Sequence, residues 1–374
     1  MSAGRSVWQS PPARVGTVIV GGGITGLALL ARPECGPATV LLESHQVGWG
    51  ASGRNAGFLM AGVAANYERA AREHGREVAR QVWAFTSRSH RLLAQALKGR
   101  GAGYARRGSW TLPESGEEAA SLESAAEMLR EDGFEARWRT RLPPPLAARP
   151  GGLLAPGDGE VDPVKALAAL ASRAPGAVYQ GIEVTALEAW AGGVRLEAGG
   201  GEILAERAVL ATNAYLPLLI PSAPVRPVRA QMLATEPCPR LADRPAYSGW
   251  GHRYWRQVAD GRLLAGGFRD AAVEEEVGYG LDTTAAVQAR LDGHLAAIGA
   301  GGAVVTRRWA GTMGFTPDGL PVAGPVPGRP NLFVAGGYTG HGMGFAVACA
   351  EVVAGLLKGR GAPPQWLDPA RFPW

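Results

Sequence analysis

The N-terminal part of the chain combines fully apolar runs with a glycine-rich turn. Residues 17–26 read TVIVGGGITG, in which an apolar run typical of a buried parallel strand leads into three glycines. LALLAR continues with helical character, and ATVLLE is a second apolar run that ends on Glu43. This order of strand, turn, helix and strand predicts a βαβ unit.

Farther along, the apolar positions predict helices and alternating strands. Residues 66–98 have the spacing of one long amphipathic helix, and Ser115 with Glu118 forms a capping box for a helix to about Arg130. Period-two alternation predicts a β-rich central part with a hairpin that turns at Asp260-Gly261. The other predicted elements are a strand in 103–112, a helix over 164–172, strands between 177 and 212, and an apolar helix within 336–358.

The composition is that of a globular protein with a sizeable core. Of 374 residues, 46% are hydrophobic and 19% are charged, whereas disordered chains are poorer in apolar and richer in charged residues. At roughly 150 residues per domain, the length suggests two or three domains. Glycine is unusually common, with 54 residues, and many of them are concentrated in residues 21–26, 48–57 and 336–344.

The positive charge of the chain raises the question of a nucleic-acid or membrane partner. The net charge is +5, but the arginines are spread along the whole chain with acidic residues between them. The densest basic and aromatic patch, Arg137 to Arg141, runs into Pro143-Pro144-Pro145. We expect a solvated loop there, with an RNA-contacting strip as the alternative, and no nucleic-acid partner.

The cysteines and histidines indicate neither a disulfide framework nor a metal site. Cys35, Cys238 and Cys349 are far apart, and the histidines form no ligand spacing. We therefore expect a reducing, cytoplasmic environment and no metal. The first fifteen residues lack the apolar core of a signal peptide, and the longest apolar stretch, 345–357, is too short to span a bilayer.

The glycine turn has the spacing of a dinucleotide-binding fingerprint. Gly21, Gly23 and Gly26 satisfy GxGxxG after a predicted strand, and Glu43 follows Gly21 by 22 positions at the end of the next strand. The first glycine permits the turn, the second lets the backbone approach a pyrophosphate, and Glu43 accepts hydrogen bonds from ribose hydroxyls. NAD and FAD both remain open at this point.

A second glycine-rich loop favours FAD over NAD. GWGASGRNAG, residues 48–57, follows Glu43 closely and suits the pyrophosphate and flavin end of a longer cofactor. With this loop the chain resembles the D-amino-acid-oxidase superfamily of FAD oxidoreductases, which contains glycine oxidase, sarcosine oxidase and gamma-glutamylputrescine oxidase. The resemblance extends over nearly the whole chain. Further motifs that carry it are GEVDPVKAL, AVLATNAY, PVRAQMLATEP, RYWRQVADGRLLAGG, RWAGTMGFTPDGLPVAG and AGGYTGHGMGFA.

The resemblance implies a set of FAD-binding positions. The turn would hold the pyrophosphate, Val184 would meet the adenine, and the loop before the C-terminal helix would face the flavin. The implied positions are Gly21, Gly22, Gly23, Ile24, Thr25, Gly26, Glu43, Ser44, Ala51, Ser52, Gly53, Arg54, Asn55, Ala56, Gly57, Val184, Ala211, Thr212, Asn213, Gly337, Tyr338, Thr339, Gly340, His341, Gly342 and Met343.

Two departures from the family pattern concern covalent attachment and the substrate carboxylate. Some sarcosine oxidases attach flavin through a cysteine seven residues before the aspartate of TPD, where this chain has Gly311. We therefore expect noncovalent FAD. Glycine oxidase has a carboxylate-binding arginine two residues after WAG, where this chain has Met313. A methionine cannot form that pair, and Arg256 or Arg54 are the candidate substitutes.

A third departure concerns the reaction with oxygen. Sarcosine-oxidase-like members place a lysine over the flavin, on the strand that corresponds to residues 262–266 here. Lys98, Lys165 and Lys358 all lie elsewhere. We therefore expect either a slow oxidase or a dehydrogenase, with O2 or another electron acceptor.

The implied reaction is oxidation of a C–N bond in an amine or amino acid. Hydride would pass to flavin N5, and the resulting imine would be hydrolysed. Tyr254 on the strand over the flavin and His341 in the flavin loop are the candidate substrate contacts, with Arg256 and Met313 as the other candidate catalytic positions. The alternatives are a 2-hydroxy-acid dehydrogenase and a flavin-dependent RNA-modifying or nonenzymatic nucleotide-binding protein.

The expected fold class is α/β, with a discontinuous Rossmann-type FAD-binding domain and a β-rich substrate domain of antiparallel sheet with helices. The FAD-binding domain is predicted to comprise residues 14–90, 155–218 and 310–374. Residues 91–154 and 219–309 are predicted to form the substrate domain. The oligomeric state stays open.

Overall fold

The computed structural model describes residues 10–144 and 146–374. The strands in these ranges are β1 (Arg14–Val20), β2 (Thr39–Glu43), β3 (Phe58–Leu59), β4 (Ser109–Leu112), β5 (Arg137–Arg139), β6 (Gly152–Ala155), β7 (Gly159–Glu160), β8 (Ala177–Gln180), β9 (Val184–Trp190), β10 (Gly193–Ala198), β11 (Gly201–Leu210), β12 (Arg226–Pro237), β13 (Ala246–Ser248), β14 (Arg253–Gln257), β15 (Arg262–Gly267), β16 (Val305–Phe315), β17 (Val322–Pro325) and β18 (Leu332–Gly336). The α-helices are α1 (Ile24–Leu30), α2 (Ala51–Arg54), α3 (Tyr67–His74), α4 (Arg76–Leu97), α5 (Gly116–Glu131), α6 (Pro163–Ala171), α7 (Leu216–Leu219), α8 (Ala285–Ala297) and α9 (Gly342–Leu357). Residues 1–9, on which part of the signal-peptide prediction rests, and Pro145 lie outside the described residues.

Parallel strands form the centre of the first sheet. β1 pairs in parallel with β2 and β11, β2 pairs in parallel with β8, and β11 pairs in parallel with β18. β10 joins β11 in antiparallel fashion and carries β9, while β17 pairs antiparallel with β18. Ile19 and Leu41 are fully buried, because both faces of this sheet are covered, which explains the unbroken apolar runs. The predicted βαβ unit is confirmed.

The second sheet is almost entirely antiparallel, in the order β16-β12-β15-β14-β13-β4-β6-β5. Only the β13–β4 pair is parallel among its described strands. β14 and β15 form the hairpin predicted to turn at Asp260-Gly261. A mixed parallel sheet with helices and a separate antiparallel sheet confirm the α/β fold class.

The basic patch at Arg137 to Arg141 is not the solvated loop that the sequence predicted. Arg137–Arg139 form β5, which pairs with β6 at the edge of the second sheet. Trp138 is half-buried while Arg137 and Arg139 are exposed. The alternation of arginine and tryptophan is therefore the period-two pattern of an edge strand, with charged side chains that protect the open edge.

The long helix predicted over residues 66–98 is two helices. α3 and α4 are separated by Gly75, whose φ of 86° lies in the left-handed region that helices exclude. The helix predicted after Ser115 is confirmed as α5. Ser115 Oγ accepts a hydrogen bond from the Glu118 amide at 3.1 Å, whereas the Glu118 carboxylate accepts from the Glu114 amide, one residue before the cap.

Helix α9 lies in the largest apolar core, and most of its residues are buried. It packs against α1 and α4, and Phe345, Cys349 and Val353 are fully buried. A helix whose residues are apolar except for Glu351 packs into the protein interior, and its N-terminus is thereby fixed next to the N-terminus of α1. No helix among the described residues is both long and apolar enough to cross a membrane.

The two sheets draw on alternating parts of the chain. Strands of the first sheet fall in residues 14–43, 177–210 and 322–336, and strands of the second fall in 109–155 and 226–315. β16 runs across the predicted boundary between residues 309 and 310. The domain boundaries themselves remain predictions.

Substitution of Gly26 tests how tightly the glycine turn after β1 is packed. A Cβ at Gly26 would collide with the carbonyl oxygen of Gly21. We expect Gly26→Ala to lower the free energy of unfolding by about 1–3 kcal/mol, because the turn must shift to make room.

The matched control for this substitution is Gly293→Ala. Gly293 is exposed within α8, and no atom lies within 4 Å of the position that a Cβ would take. The substitution should raise stability by up to about 1 kcal/mol through helix propensity. Urea unfolding of both variants measures the difference. Equal stability changes would contradict the steric argument at Gly26.

Candidate active site

The turn after β1 forms one wall of a cavity of about 550 Å³ between the two sheets. Gly21 adopts a φ of 111°, and its amide donates to the Leu42 carbonyl at 2.8 Å, which ties the turn to the end of β2. The Ile24 amide at the start of α1 donates to Ser52 Oγ at 3.0 Å. The two glycine-rich loops that the sequence singled out therefore meet.

The buried side chain of Glu43 links the ends of β1 and β2 through hydrogen bonds. Its carboxylate is buried and accepts hydrogen bonds from the Gly22 amide at 2.6 Å and the His45 amide at 2.9 Å. The hydrogen bonds that a carboxylate accepts from amides offset the free-energy cost of burying its charge. Glu43 and Ser44 both line the cavity.

The loop at residues 48–57 contains the short helix α2 and runs along the cavity floor. The Arg54 guanidinium donates to the Trp49 carbonyl at 2.7 Å and to the Ala310 carbonyl at 3.2 Å, which joins the loop to β16. The Asn55 side chain accepts from the Gly57 amide at 2.7 Å. These bonds hold the loop in one shape.

The C-terminal loop, residues 337–343, closes the cavity from the opposite side. The Asn213 side chain accepts from the Gly337 amide at 2.9 Å, and the Tyr338 hydroxyl lies 2.7 Å from Thr25 Oγ1. Through these contacts the loop, the turn after β11 and helix α1 converge. Burial raises the pKa of the Tyr338 hydroxyl, which is therefore neutral and serves as a hydrogen-bonding link.

We call the region of the cavity under the second sheet the substrate end, defined by Tyr247, His252, Tyr254, Arg269, Met313, Phe315 and His341. The rings of Tyr247 and Tyr254 meet edge to face with centroids 5.9 Å apart, and the Tyr247 ring lies 6.0 Å from that of His341. Phe315 in β16 is bridged to Tyr338, so the substrate end adjoins the C-terminal loop.

The titratable side chains of the substrate end are mostly neutral. Burial lowers the pKa of His341 to about 4 and raises the pKa of Tyr254 to about 12, so both are uncharged at pH 7. His341 Nδ1 lies 3.4 Å from the Thr339 carbonyl, which can only accept. A hydrogen bond between these two atoms requires the proton on Nδ1, and this tautomer leaves Nε2 as an acceptor.

Most of the predicted cofactor positions line this one cavity. They are Gly21, Gly23, Ile24, Thr25, Glu43, Ser44, Ala51, Ser52, Arg54, Asn55, Ala56, Val184, Ala211, Thr212, Asn213, Tyr338, Thr339, Gly340, His341, Gly342 and Met343, and the predicted catalytic positions Tyr254 and Met313 join them. Gly22, Gly26, Gly53, Gly57 and Gly337 do not line it. They belong to the same loops as the lining residues.

The structure does not bring Arg256 to the cavity. Its side chain is only 5% exposed, donates to the Gly57 carbonyl at 3.3 Å and lies 3.6 Å from the Glu160 carboxylate. An arginine held in this way supports the Gly57 turn. The structure thus places Arg256 beside the Gly57 turn and not in the cavity lining, and its role as a substrate anchor stays a prediction that this placement does not favour.

Several cavity-lining side chains were not found from the sequence. His45 and Trp49 stack with ring centroids 3.9 Å apart, directly after Glu43, and Tyr215 follows the predicted turn at Asn213. Aromatic residues beside the fingerprint positions were the available signal for these three. Tyr247, His252 and Arg269 carried no motif, and only the folding of the second sheet brings them in.

A second cavity of about 670 Å³ adjoins the first. The two cavities share Met60, Ala64, Tyr247, Gly251 and His341 as lining residues. Asp158 on its wall accepts hydrogen bonds from Ser109 Oγ at 2.6 Å and the Ala61 amide at 3.0 Å, and burial raises its pKa to about 7. Tyr247 and His341 thus separate two internal spaces.

Comparison with known families defines the class of the protein. The family described as DAO, FAD dependent oxidoreductase, matches residues 17–356. The chain therefore belongs to the DAO family of FAD-dependent oxidoreductases. This confirms the resemblance drawn from the sequence and the assignment of FAD as cofactor.

Individual relatives cover nearly the whole chain. The probable oxidoreductase OrdL of Rhizobium meliloti (strain 1021) is 27% identical over 95% of this chain and 86% of its own length. Gamma-glutamylputrescine oxidoreductase of Escherichia coli (strain K12) is 26% identical over 91% of this chain and 83% of its own. The crystal structure of glycine oxidase from Geobacillus kaustophilus superimposes with a TM-score of 0.78, at 25% identity, over 94% of this chain and 96% of that one.

The residues of the cavity fit FAD. Thr212 Oγ1 and the Tyr215 hydroxyl are buried and find no hydrogen-bond partner within residues 10–144 and 146–374, so both can serve a ligand. Gly21 and Gly23 present backbone to the cavity without side chains, and Glu43 lies at the end of β2, where ribose hydroxyls are recognised. Turn, ribose acceptor and unsatisfied polar atoms thus surround one cavity.

Substitution of Glu43 tests this arrangement. We expect Glu43→Gln to weaken FAD binding at least about tenfold, because the amide replaces one charged acceptor at the Gly22 turn with a weaker group or a donor. Titration of the apoprotein with FAD, followed by flavin fluorescence, measures the dissociation constant.

Glu206→Gln is the matched control, since Glu206 is exposed on β11 and the charge change is identical. It should leave FAD binding unchanged. An unchanged dissociation constant for Glu43→Gln would remove Glu43 from the cofactor site.

Proposed function

We propose that the protein oxidises the C–N bond of an amine or amino acid with noncovalently bound FAD. The observation that carries this proposal is the substrate end of the cavity, where the neutral side chains of Tyr254 and His341 and apolar walls lie beside the C-terminal loop, together with Arg269. The names of the relatives support it, since gamma-glutamylputrescine oxidoreductase and glycine oxidase act on compounds that contain amines. When bound, FAD supplies a two-electron acceptor for the hydride that leaves the carbon next to nitrogen.

The residues of the substrate end orient the amine and exclude water. Met313, Phe315 and the two tyrosine rings provide apolar surface, which favours an uncharged amine over a hydrated cation. His341 Nε2 is an acceptor for an N–H of the substrate amine. The acidic residues that line the described cavity are Glu43 and Glu183, next to the predicted adenosine positions. Hydride transfer from a neutral amine needs no carboxylate base at the reacting carbon.

The unpaired state of the three cysteines supports a cytoplasmic location. Cys35, Cys238 and Cys349 are all free. Unpaired cysteines are typical of proteins from reducing compartments. Gly311 lines the cavity, and no cysteine does among the described residues, which supports noncovalent FAD at that position.

An anaerobic substrate screen tests the proposed reaction. We expect amines, N-methyl amino acids or amino acids to bleach the visible flavin absorbance of the FAD-loaded protein in the absence of oxygen, since electrons from the C–N bond are retained on the cofactor. 2-Hydroxy acids serve as the comparison series and should leave the spectrum unchanged. Bleaching by hydroxy acids alone would replace the proposal with the C–O alternative.

The electron acceptor is a separate part of the proposal. Lys98, Lys165 and Lys358 are exposed, and none of them lines the cavity. We therefore expect the reduced protein to be a slow oxidase or a dehydrogenase. Stopped-flow mixing of the reduced protein with air-saturated buffer should show slow recovery of flavin absorbance, with an artificial electron acceptor as the positive control. Rapid recovery with oxygen would refute this part alone.

A further inference from the structure

We propose that the second cavity binds the far ammonium group of a substrate with two amino groups, with Asp158 as the counter-ion. The nitrogen to be oxidised would lie at the substrate end of the first cavity. This inference rests on the proposed function and names the substrate class of that site, which is an alkyl diamine.

The carboxylate of Asp158 is an uncompensated acid inside the protein. Asp158 is only 4% exposed and lines the second cavity. Its oxygens accept from the Ala61 amide and Ser109 Oγ, and it makes no salt bridge within residues 10–144 and 146–374. Burial raises the pKa of this carboxyl to about 7, which reflects the cost of holding an unpaired negative charge away from water. A cationic ligand would offset that cost.

Two further polar groups line the second cavity without a partner. His90 is 6% exposed, and its Nε2 has no hydrogen-bond partner within the described parts of the chain. Burial lowers the pKa of His90 to about 4, so its ring is neutral. Burial also raises the pKa of the Tyr247 hydroxyl, and the charge of Asp158 adds to the rise. Carboxylate and hydroxyl oxygens are acceptors for the N–H donors of an ammonium group.

The segment that follows β3 brings Asp158 and His90 to the same part of the cavity. The Ala61 amide donates to Asp158, and the next amide, that of Gly62, donates to Thr86 Oγ1 at 2.8 Å. Thr86 and His90 lie four residues apart in α4 and therefore on one face of that helix. Neighbouring residues of one segment thus contact both sides of the cavity, so the carboxylate and the imidazole can serve the same ligand.

Aromatic rings form much of the remaining wall of the second cavity. They belong to Tyr67, Trp83, Tyr104, Phe134 and Trp250. The faces of aromatic rings carry partial negative charge and attract alkylammonium ions, while their carbon surface suits a methylene chain. The wall therefore fits an alkyl chain that ends in a cation.

The charges that line the second cavity are divided by depth. They are those of Arg69, Arg91, Arg106, Glu118, Glu135 and Asp158. Asp158 and Glu118 are the buried members, whereas the three arginines and Glu135 are half-buried or exposed. The Glu118 carboxylate already accepts from two backbone amides, those of Glu114 and Trp250. The interior is therefore negative, and Asp158 is the acid left to meet a cation.

A slender chain can connect the two cavities. Both are lined by Tyr247 and His341, and the other residues that they share are Met60, Ala64 and Gly251. Methionine is flexible, and alanine and glycine have the smallest side chains, so this part of the partition leaves room for methylene groups. One nitrogen can then lie at the substrate end while the other reaches Asp158.

Matched pairs of amines test the inference on the wild type. The FAD-loaded protein is first reduced chemically without oxygen, so that it accepts no further hydride, and calorimetry then measures amine dissociation constants without turnover. The diamine probes are cadaverine and hexamethylenediamine, and pentylamine and hexylamine are the probes of equal chain length with one nitrogen. We expect at least one diamine to bind about 10- to 100-fold more tightly than its partner. Equal binding within both pairs would overturn the inference.

Two variants connect the preference for diamines to Asp158. Asp158→Asn should abolish it, because the amide carries no charge, and should leave monoamine binding unchanged. Ser109→Ala keeps the carboxylate but loses the hydrogen bond that lowers its pKa. Its preference should fall at pH 7 and return at about pH 9, where the carboxylate is again charged and an alkylammonium group is still protonated. A purely structural role of Asp158 would not produce this pH dependence.

The matched control is Glu127→Gln, which removes one negative charge from the exposed face of α5. It should prefer diamines as the wild type does. FAD content verifies that each variant is folded, and Ser109→Ala decides the matter if Asp158→Asn fails to fold. A preference that persists in Asp158→Asn, or one that does not change with pH in Ser109→Ala, would overturn the inference.

The outcome is separable from that of the proposed function. If diamines bind preferentially through Asp158 but no amine or amino acid reduces the oxidised flavin, the reaction is wrong and the cation site stands. If amines or amino acids reduce the flavin and diamines bind no better than monoamines, the cation site is wrong and the reaction stands.

Discussion

The burial of α9 is the constraint on which the rest of the site depends. This helix is apolar except for Glu351, so the free energy gained by removing its apolar side chains from water holds it between α1 and α4. Its position carries the preceding loop to the N-terminus of α1, where Tyr338 and Thr25 meet. Residues more than 300 positions apart in sequence thereby form one wall. Without that packing, the glycine turn would have no opposite face.

The local parts of the cofactor site could be predicted from the sequence because residues close together in the chain determine their geometry. A strand, a GxGxxG turn and an acid at the end of the next strand determine one another through backbone hydrogen bonds, as Gly22 and Glu43 show. The antiparallel second sheet followed in the same way from period-two alternation. These patterns need no knowledge of distant contacts.

The substrate end could not be predicted, because it depends on register and on an unusual backbone conformation. Tyr254 and Arg256 share one face of β14, but residues two positions apart along a strand lie about 7 Å from each other. Over this distance Tyr254 reaches the cavity, whereas Arg256 contacts the Gly57 carbonyl instead. Arg269 depends on the left-handed conformation of Phe268, which no sequence pattern announces for a bulky residue. The Arg137–Arg139 strand was missed because its charges obscured its alternation.

Strand β16 contacts several parts of the molecule at once. Along one continuous strand it pairs with β12 in the second sheet, lines the cavity at Thr312 and Met313, and meets the C-terminal loop at Gly314, whose carbonyl accepts from the Thr339 amide at 2.8 Å. β16 thus connects the second sheet to the C-terminal loop, which is linked to helix α1 through Tyr338 and Thr25. We therefore expect the two sheets to melt in one cooperative transition.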